Sequence, residues 1–306
     1  MSEARVAAPS SSSMPSAGAA VAMLGPTPAV GRAFASVLGR RGNLIVGGGI
    51  LAVVLLASVF AASISPYDPI AQNLRNTLQP PSAAHPFGTD NFGRDIFARV
   101  LHAARVDIAI GFLCVLFPWL VGSTLGAIAG YVGGVVDTIV MRTVDVFTAF
   151  PFLIMAIGVI AVLGPGAGSM YIALTLSGWS IYARIVRAEV LVARKSDYVL
   201  AARTLGYSDA RILLRHILPN VITPTVIFGV TSMVLVILST VTLSFLGLGL
   251  PPPTPTWGSM IAEAKNFIFT AWWMVTLPGV AIVVVGLALS LLGDGVADLL
   301  RGESKR

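Results

Sequence analysis

Few side chains here could carry out covalent chemistry, and those few are scattered. The three histidines, His85, His102 and His216, lie far apart, and the one cysteine, Cys114, sits in an apolar run. That spacing supports neither a metal cluster nor an intrachain disulfide. A loop that cradles nucleotide phosphates needs glycine ahead of a Lys-Ser or Lys-Thr pair. The sole Lys-Ser pair, Lys195-Ser196, is preceded by Arg194, and the chain has only three lysines. No catalytic, cofactor-binding or metal-ligating residue is therefore expected. The chain cannot hydrolyse ATP alone, so energy for uphill work must come from a partner or an ion gradient.

Charged and hydroxyl groups within apolar segments come next, because such groups are costly in lipid and often mark a path for ions or solutes. Asp137, Arg142 and Asp145 fall at the water-accessible start of an apolar segment, where a helix-end pair such as Asp137 with Arg142 is expected rather than a proton relay. Asp294 and Asp298 carry the same expectation near the last apolar segment. By this reading no ionisable residue sits at mid-membrane, which counts against a proton-coupled carrier. Ser232, Ser239, Thr240, Thr242 and Ser244 share one apolar run. They could line a polar path or permit close helix packing, and Ser239, Thr240, Thr242 and Ser244 are retained as pathway candidates.

The elements that position these groups follow from composition. Of 306 residues, 56% are apolar and 11% charged, against about 25% charged in soluble chains. The apolar runs recur along the chain after position 42, which marks an integral membrane protein. The net charge of +6 is not gathered on one solvated face as nucleic-acid binding requires; the charges sit between apolar runs. No nucleic-acid partner is expected, and the lipid membrane is.

Six segments come near the roughly 20 apolar residues needed to cross about 30 Å of hydrocarbon: 43–64, 106–130, 139–163, 166–185, 220–246 and 274–297. Unpaired backbone is costly in lipid, so the predicted fold is all-α and polytopic, with six transmembrane helices. Residues 1–39, rich in Ser, Ala and Pro, are expected to be a disordered cytoplasmic segment. Residues 40–105 hold the first span and an external segment, 106–302 the core domain, and 303–306 a cytoplasmic tail. With the amino terminus inside, fifteen Lys and Arg fall on one side and five on the other. That bias places both termini and the segment 186–219 in the cytoplasm.

The two outward segments, 65–105 and 247–273, are dense in Pro, Gly and aromatic residues. His85-Pro86-Phe87-Gly88-Thr89-Asp90 followed by Gly93-Arg94-Asp95 predicts a rigid turn leading into an amphipathic helix at the membrane surface. Pro251 to Gly258 predicts a stiff turn bearing an interfacial tryptophan, Trp257.

The most informative stretch is the loop from Arg184 to Pro219. Val199, Ala202, Leu205, Ala210, Leu213 and Leu214 fall broadly on helical spacing while Arg203, Asp209, Arg211 and Arg215 stay polar, so two short helices broken at Gly206 are predicted. Lying flat on anionic headgroups is the bland alternative for such a basic segment. Ala201-Ala202, then Gly206, then Leu218-Pro219 resembles the Glu-Ala-Ala loop of binding-protein-dependent ABC importer permeases, with Leu200 at the position of the family's Glu and His216 where the family pattern has Ile. His85 to Asp95, Ser244-Phe245-Leu246-Gly247-Leu248-Gly249, Pro252 to Gly258 and Leu292-Gly293-Asp294-Gly295 extend the resemblance to the peptide/nickel subfamily, and within it to the C-type permease subunit of dipeptide and oligopeptide importers.

That resemblance implies a type I ABC importer permease fold and a multi-pass protein of the bacterial cytoplasmic (inner) membrane. It implies a heterodimer with a B-type permease subunit, two cytoplasmic ATPase subunits or domains that hold ATP and Mg, and an external substrate-binding protein. It assigns ATPase coupling to Leu200, Ala201, Ala202, Arg203, Gly206, Leu218 and Pro219, and a di- or oligopeptide as cargo. The competing class is a secondary transporter or channel working without ATPase subunits. Such a carrier would be expected to show an internal repeat, interrupted spans or a mid-membrane carboxylate.

Overall fold

The computed structural model describes residues 29–303, with side chains from 42 to 300. Part of the segment expected to be disordered (1–28) and most of the tail (304–306) lie outside the described residues. Among the described residues the chain is helical, with a single isolated bridge pairing Thr89 and Asp95. The principal helices are α1 (Ala29–Val59), α2 (Ile96–Val132), α3 (Gly134–Thr148), α4 (Phe152–Leu163), α5 (Ala167–Ala193), α6 (Asp197–Thr204), α7 (Thr223–Phe245), α8 (Trp257–Ala264) and α9 (Trp273–Glu303). Helix α1 therefore begins within the stretch expected to be unstructured.

Among the described residues four helical stretches are long and apolar enough to cross a membrane: Gly42–Val59 in α1, all of α2, all of α7, and Trp273–Leu300 in α9. Two expectations change here. The segment 139–163, read as one continuous span, is a pair of helices, α3 and α4, bent by 89°. Pro151 precedes α4; it lacks an N–H, and it disfavours helical backbone at Phe150 before it. The segment 166–185 corresponds to α5, whose 27 residues reach about 40 Å but which is not among the helices apolar enough to qualify. Its Ser177, Trp179, Ser180 and Tyr182 are buried against neighbouring helices, while Ile172 and Leu176 on its other face are exposed. Among the described residues, length and composition thus give four spans, or five with the bent pair counted as one, where six were expected.

Helix α2 is the axis of the molecule. Its 37 residues extend about 55 Å, well beyond a hydrocarbon layer of about 30 Å. Along one face Gly122, Gly126 and Gly130 meet the α5 backbone at Trp179, Ala183 and Arg187. Small residues four apart let two helices approach until their backbones touch. Helix α1 lies along α9, with Leu44 beside Gly295 and Gly47 against Ala288 and Leu292.

The segments 65–105 and 247–273 fold onto each other at the amino-terminal end of α2. Thr89 pins the turn, since its hydroxyl donates to the Asn76 carbonyl at 2.5 Å and accepts from the Gln79 amide at 2.8 Å. Asp95 then caps α2 by accepting from the Ala98 amide at 2.7 Å. The expected surface helix is therefore not a separate element, because the cap opens straight into the long span. Trp257, expected at the interface, is fully buried: its indole donates to the Val100 carbonyl at 3.2 Å, and its amide donates to Asp107 at 2.7 Å. Thr256, in reciprocal capping with Ser259, starts α8 at Trp257, which makes that residue part of a helix and not of an exposed turn.

Asp107 is buried in α2, eleven residues past the helix start. Its carboxyl anchors the amino terminus of α8, which is a positioning role.

Candidate functional site

The segment singled out by sequence gathers at the carboxyl-terminal end of α2, opposite the segments 65–105 and 247–273. Helix α6 presents two faces. Val199 and Ala202 are buried in a cluster with Val186 and Val190 of α5, Ala127 and Tyr131 of α2, and Ile212, Ile217 and Val221 of the chain that follows. The other face stands in solvent: Leu200 is 50% exposed and Leu205 72%, and Ala201 and Arg203 are exposed beside them. Leu214 adds to the exposed apolar surface at 64%.

Helix α6 ends as predicted at Gly206. The Gly206 amide donates to the Arg203 carbonyl at 2.9 Å and the Tyr207 amide to the Ala202 carbonyl at 3.2 Å, the two bonds of a Schellman cap. Gly206 has φ +76, a left-handed conformation that costs other L-residues roughly 1–2 kcal/mol. A β-carbon there would meet nothing within 4 Å, so the requirement for glycine is conformational and not steric. The second predicted helix is Asp209–Arg211, which runs into one π turn at Ile212–Ile217 and a short helix at Leu218–Val221. Leu218 packs partly on the buried cluster, while Pro219 is exposed in the first turn of its helix.

Several bonds fix this assembly to the spans. The Tyr131 hydroxyl donates to Asp209 at 2.5 Å. Arg194 donates to the Gly130 carbonyl at 2.9 Å, closing the end of α2. Tyr207 stacks on His216 with ring centroids 5.6 Å apart, and Arg211 covers the same tyrosine. Tyr131 and Arg194 were not among the candidates; their side chains act across the fold, and local spacing carries no signal of that.

The expected pairing of Asp137 with Arg142 does not form. Five residues along a helix is about 140° of rotation, so the two point apart. Asp137 instead takes both prongs of the Arg187 guanidinium from α5, with Nη2 to Oδ2 at 2.6 Å. Arg142 lies 3.9 Å from Asp145, exposed.

The hydroxyl candidates of α7 split. Ser239 and Thr242 line a cavity of about 410 Å³ between α2, α4, α5 and α7, with Tyr182 and Ser232 on the same wall. Their hydroxyls donate back to the carbonyls of Leu235 and Leu238, each at 2.8 Å, so the cavity is mostly apolar in character. Thr240 and Ser244 are buried elsewhere: Thr240 bonds the Ile237 carbonyl and Ser244 packs under Gly258. Among the described residues there is no group of three or more potential metal ligands.

At the opposite end, Asp90, Arg94, Arg99 and Glu263 form a compact charge cluster. Asp90 accepts from Arg94 Nε at 2.5 Å and lies 3.8 Å from Arg99. Glu263 accepts from Arg94 and lies 3.4 Å from Arg99. The cluster ties α2 to α8, so the two segments assigned to one side of the membrane by charge counting are in contact. The loop assigned to the other side sits at the far end of α2.

Residues 122–303 match the family of the binding-protein-dependent transport system inner membrane component, and residues 43–81 match the N-terminal TM domain of oligopeptide transport permease C. A putative peptide transport system permease protein of Brucella suis is 42% identical over 295 residues, 96% of each chain. A dipeptide transport system permease protein of Alkalihalophilus pseudofirmus is 38% identical, covering 85% of this chain and 86% of its own. A glutathione transport system permease protein of Pectobacterium atrosepticum is 39% identical, covering 87% and 89% respectively.

Proposed function

Because this chain belongs to the binding-protein-dependent transport system inner membrane components, the permease subunits of ATP-driven importers, we propose that it forms half of a peptide translocation pathway and that α6 delivers the ATPase stroke to it. The observation that carries the coupling role is the two-faced α6. Val199 and Ala202 bind it to α2 and α5, while Leu200 and Leu205 stand uncovered. A partner that grips the outer face moves the inner face, and with it the ends of two long helices. The peptide cargo rests on the names of the relatives, which include peptide, dipeptide and glutathione systems.

The partners in this reading are a B-type permease subunit, two ATPase subunits that hold ATP and Mg, and an external substrate-binding protein. The chain itself binds no cofactor. Both termini and the α6 loop face the cytoplasm, on the strength of the fifteen-to-five bias in Lys and Arg. Ser239 and Thr242 stand where substrate would pass, while Thr240 and Ser244 serve packing. ATP-driven closure of the ATPase pair draws α6 inward and opens the pathway outward; hydrolysis resets it. For this to drive transport, the ATPase contact must differ in free energy between the two states.

Gly206→Val tests the coupling. A β-branched residue cannot hold φ +76 without strain, so the cap shifts and α6 loses its orientation. Uptake in reconstituted vesicles is expected to fall at least about tenfold, since the strain of roughly 1–2 kcal/mol falls at the transmitting joint. Membrane insertion and yield should stay near the parent's. Parental uptake in that variant would sink the coupling role.

A further inference from the structure

Between the inner end of α2 and α6 lies a second cavity, about 430 Å³, lined by Tyr131, Arg194, Lys195, Leu200 and Arg203. Apart from the Tyr131 phenol, its ionisable groups are all cations. Arg194 is held by the Gly130 carbonyl, Arg203 lies over the Tyr131 ring at 5.6 Å, and Lys195 is exposed. Among the described residues none of the three cations takes part in an ion pair. The Asp209 carboxylate beside them, held by the Tyr131 hydroxyl, keeps its negative charge and offsets one of the three cations. The remaining positive excess raises the local potential and favours an anionic occupant.

Leu200 links the hollow to the α6 partner. It forms one wall of the hollow and, half exposed, belongs to the same apolar face as Leu205. On the reading of α6 as the ATPase contact, the partner that covers this face also borders the hollow. An anionic phospholipid, with acyl chains beside its phosphate, is the competing occupant.

We propose that the hollow receives a carboxylate side chain of the ATPase subunit, making the basic pocket and the Leu200 face two parts of one docking surface. The inference rests on the reading of α6 as the ATPase contact. It adds a charge requirement to that contact: the facing surface of the ATPase carries an aspartate or glutamate that enters beside Lys195 and Arg203. Arg194, committed to the end of α2, shapes the hollow from behind.

The assembled importer, purified in mild detergent, is treated with a carbodiimide, which condenses a lysine amine and a carboxylate into an amide with loss of water. Lys195 is one of three lysines, so its products can be assigned by peptide mass spectrometry. An amide between Lys195 and an Asp or Glu of the ATPase subunit is expected, and it should be missing in Lys195→Arg. The double variant Lys195→Glu/Arg203→Glu should retain at least about tenfold less ATPase at low salt, because like charges would then face each other. In Lys195→Gln/Arg203→Gln the salt dependence of retention should flatten. Arg203 and Lys195 are both exposed, so these variants should elute as the parent does.

If the parent retains ATPase but Lys195 joins only acids of its own chain, or if the Glu variant retains ATPase normally, the proposal is overturned and α6 docking survives. Loss of bound anionic phospholipid from the Gln variant with unchanged ATPase retention would assign the hollow to the membrane, overturning it equally. A parent chain that retains no ATPase would overturn both this proposal and the coupling role.

Discussion

Leucine in place of Gly126 is expected to prevent α2 and α5 from seating against each other. A β-carbon at 126 would lie 2.8 Å from the Ala183 Cα, with the Ala183 carbonyl nearer still. Those atoms belong to backbone, which cannot swing aside as a side chain tip can. Overpacking a tight contact costs about 1–3 kcal/mol and occasionally more. This case sits at the upper end, because both helices would have to part along the Gly122 and Gly130 contacts as well. The purified variant should lose its monodisperse elution in detergent and melt well below the parent. Gly158→Leu is the control, since a β-carbon there meets nothing within 4 Å. If Gly126→Leu melted with the parent, the α2–α5 contact described above would be wrong.

The second large effect is expected at the other end of α2. Asp90→Ala removes one of two carboxylates that balance Arg94 and Arg99, whose side chains are 6% and 2% exposed. Breaking a buried ion pair by deleting one partner costs about 3–5 kcal/mol, since the remaining charge stays desolvated. Asp90 also accepts from the amides of Phe92 and Arg94, so the turn loosens along with the pair. Asp90→Asn keeps an acceptor and removes only the charge; it should fall between the parent and Asp90→Ala. The measurement is protease cleavage within 65–95 and 247–273 on vesicles exposing that side. Parental resistance in Asp90→Ala would show that the cluster does not hold α2 and α8 together.

How much of this was legible in the sequence depends on the range of the interaction. The helical character of the chain, the break at Gly206 and the burial of Val199 and Ala202 follow from local spacing, because backbone conformation is set within a few residues; Leu205, Ala210 and Leu214, read as part of the same apolar face, are exposed. What spacing could not give was which face meets which helix. Asp137 takes Arg187 and not Arg142, Trp257 turns inward onto Val100 and Asp107, and Tyr131 reaches Asp209; these are partnerships across 50 to 157 positions. The bend between α3 and α4 and the polar character of α5 were written at Pro151 and in Ser177, Ser180 and Tyr182, but an average over an apolar run hides both. The Gly122, Gly126, Gly130 repeat was open to view from the start as a small-residue stripe, and it marks the tightest helix contact in the bundle's centre.

The lengthwise contact of α1 with α9 bears on how the protein is made. Gly47 rests against Ala288 and Leu292, so the first membrane helix to leave the ribosome finds its partner only after roughly 240 further residues are synthesised. At about 5–20 residues per second, that is a wait of roughly 12–50 s. Throughout it the nascent α1 must be shielded by lipid or by the insertion machinery. A chain terminated early would keep that face permanently unpaired, giving membrane quality control a ready mark by which to tell finished copies from incomplete ones.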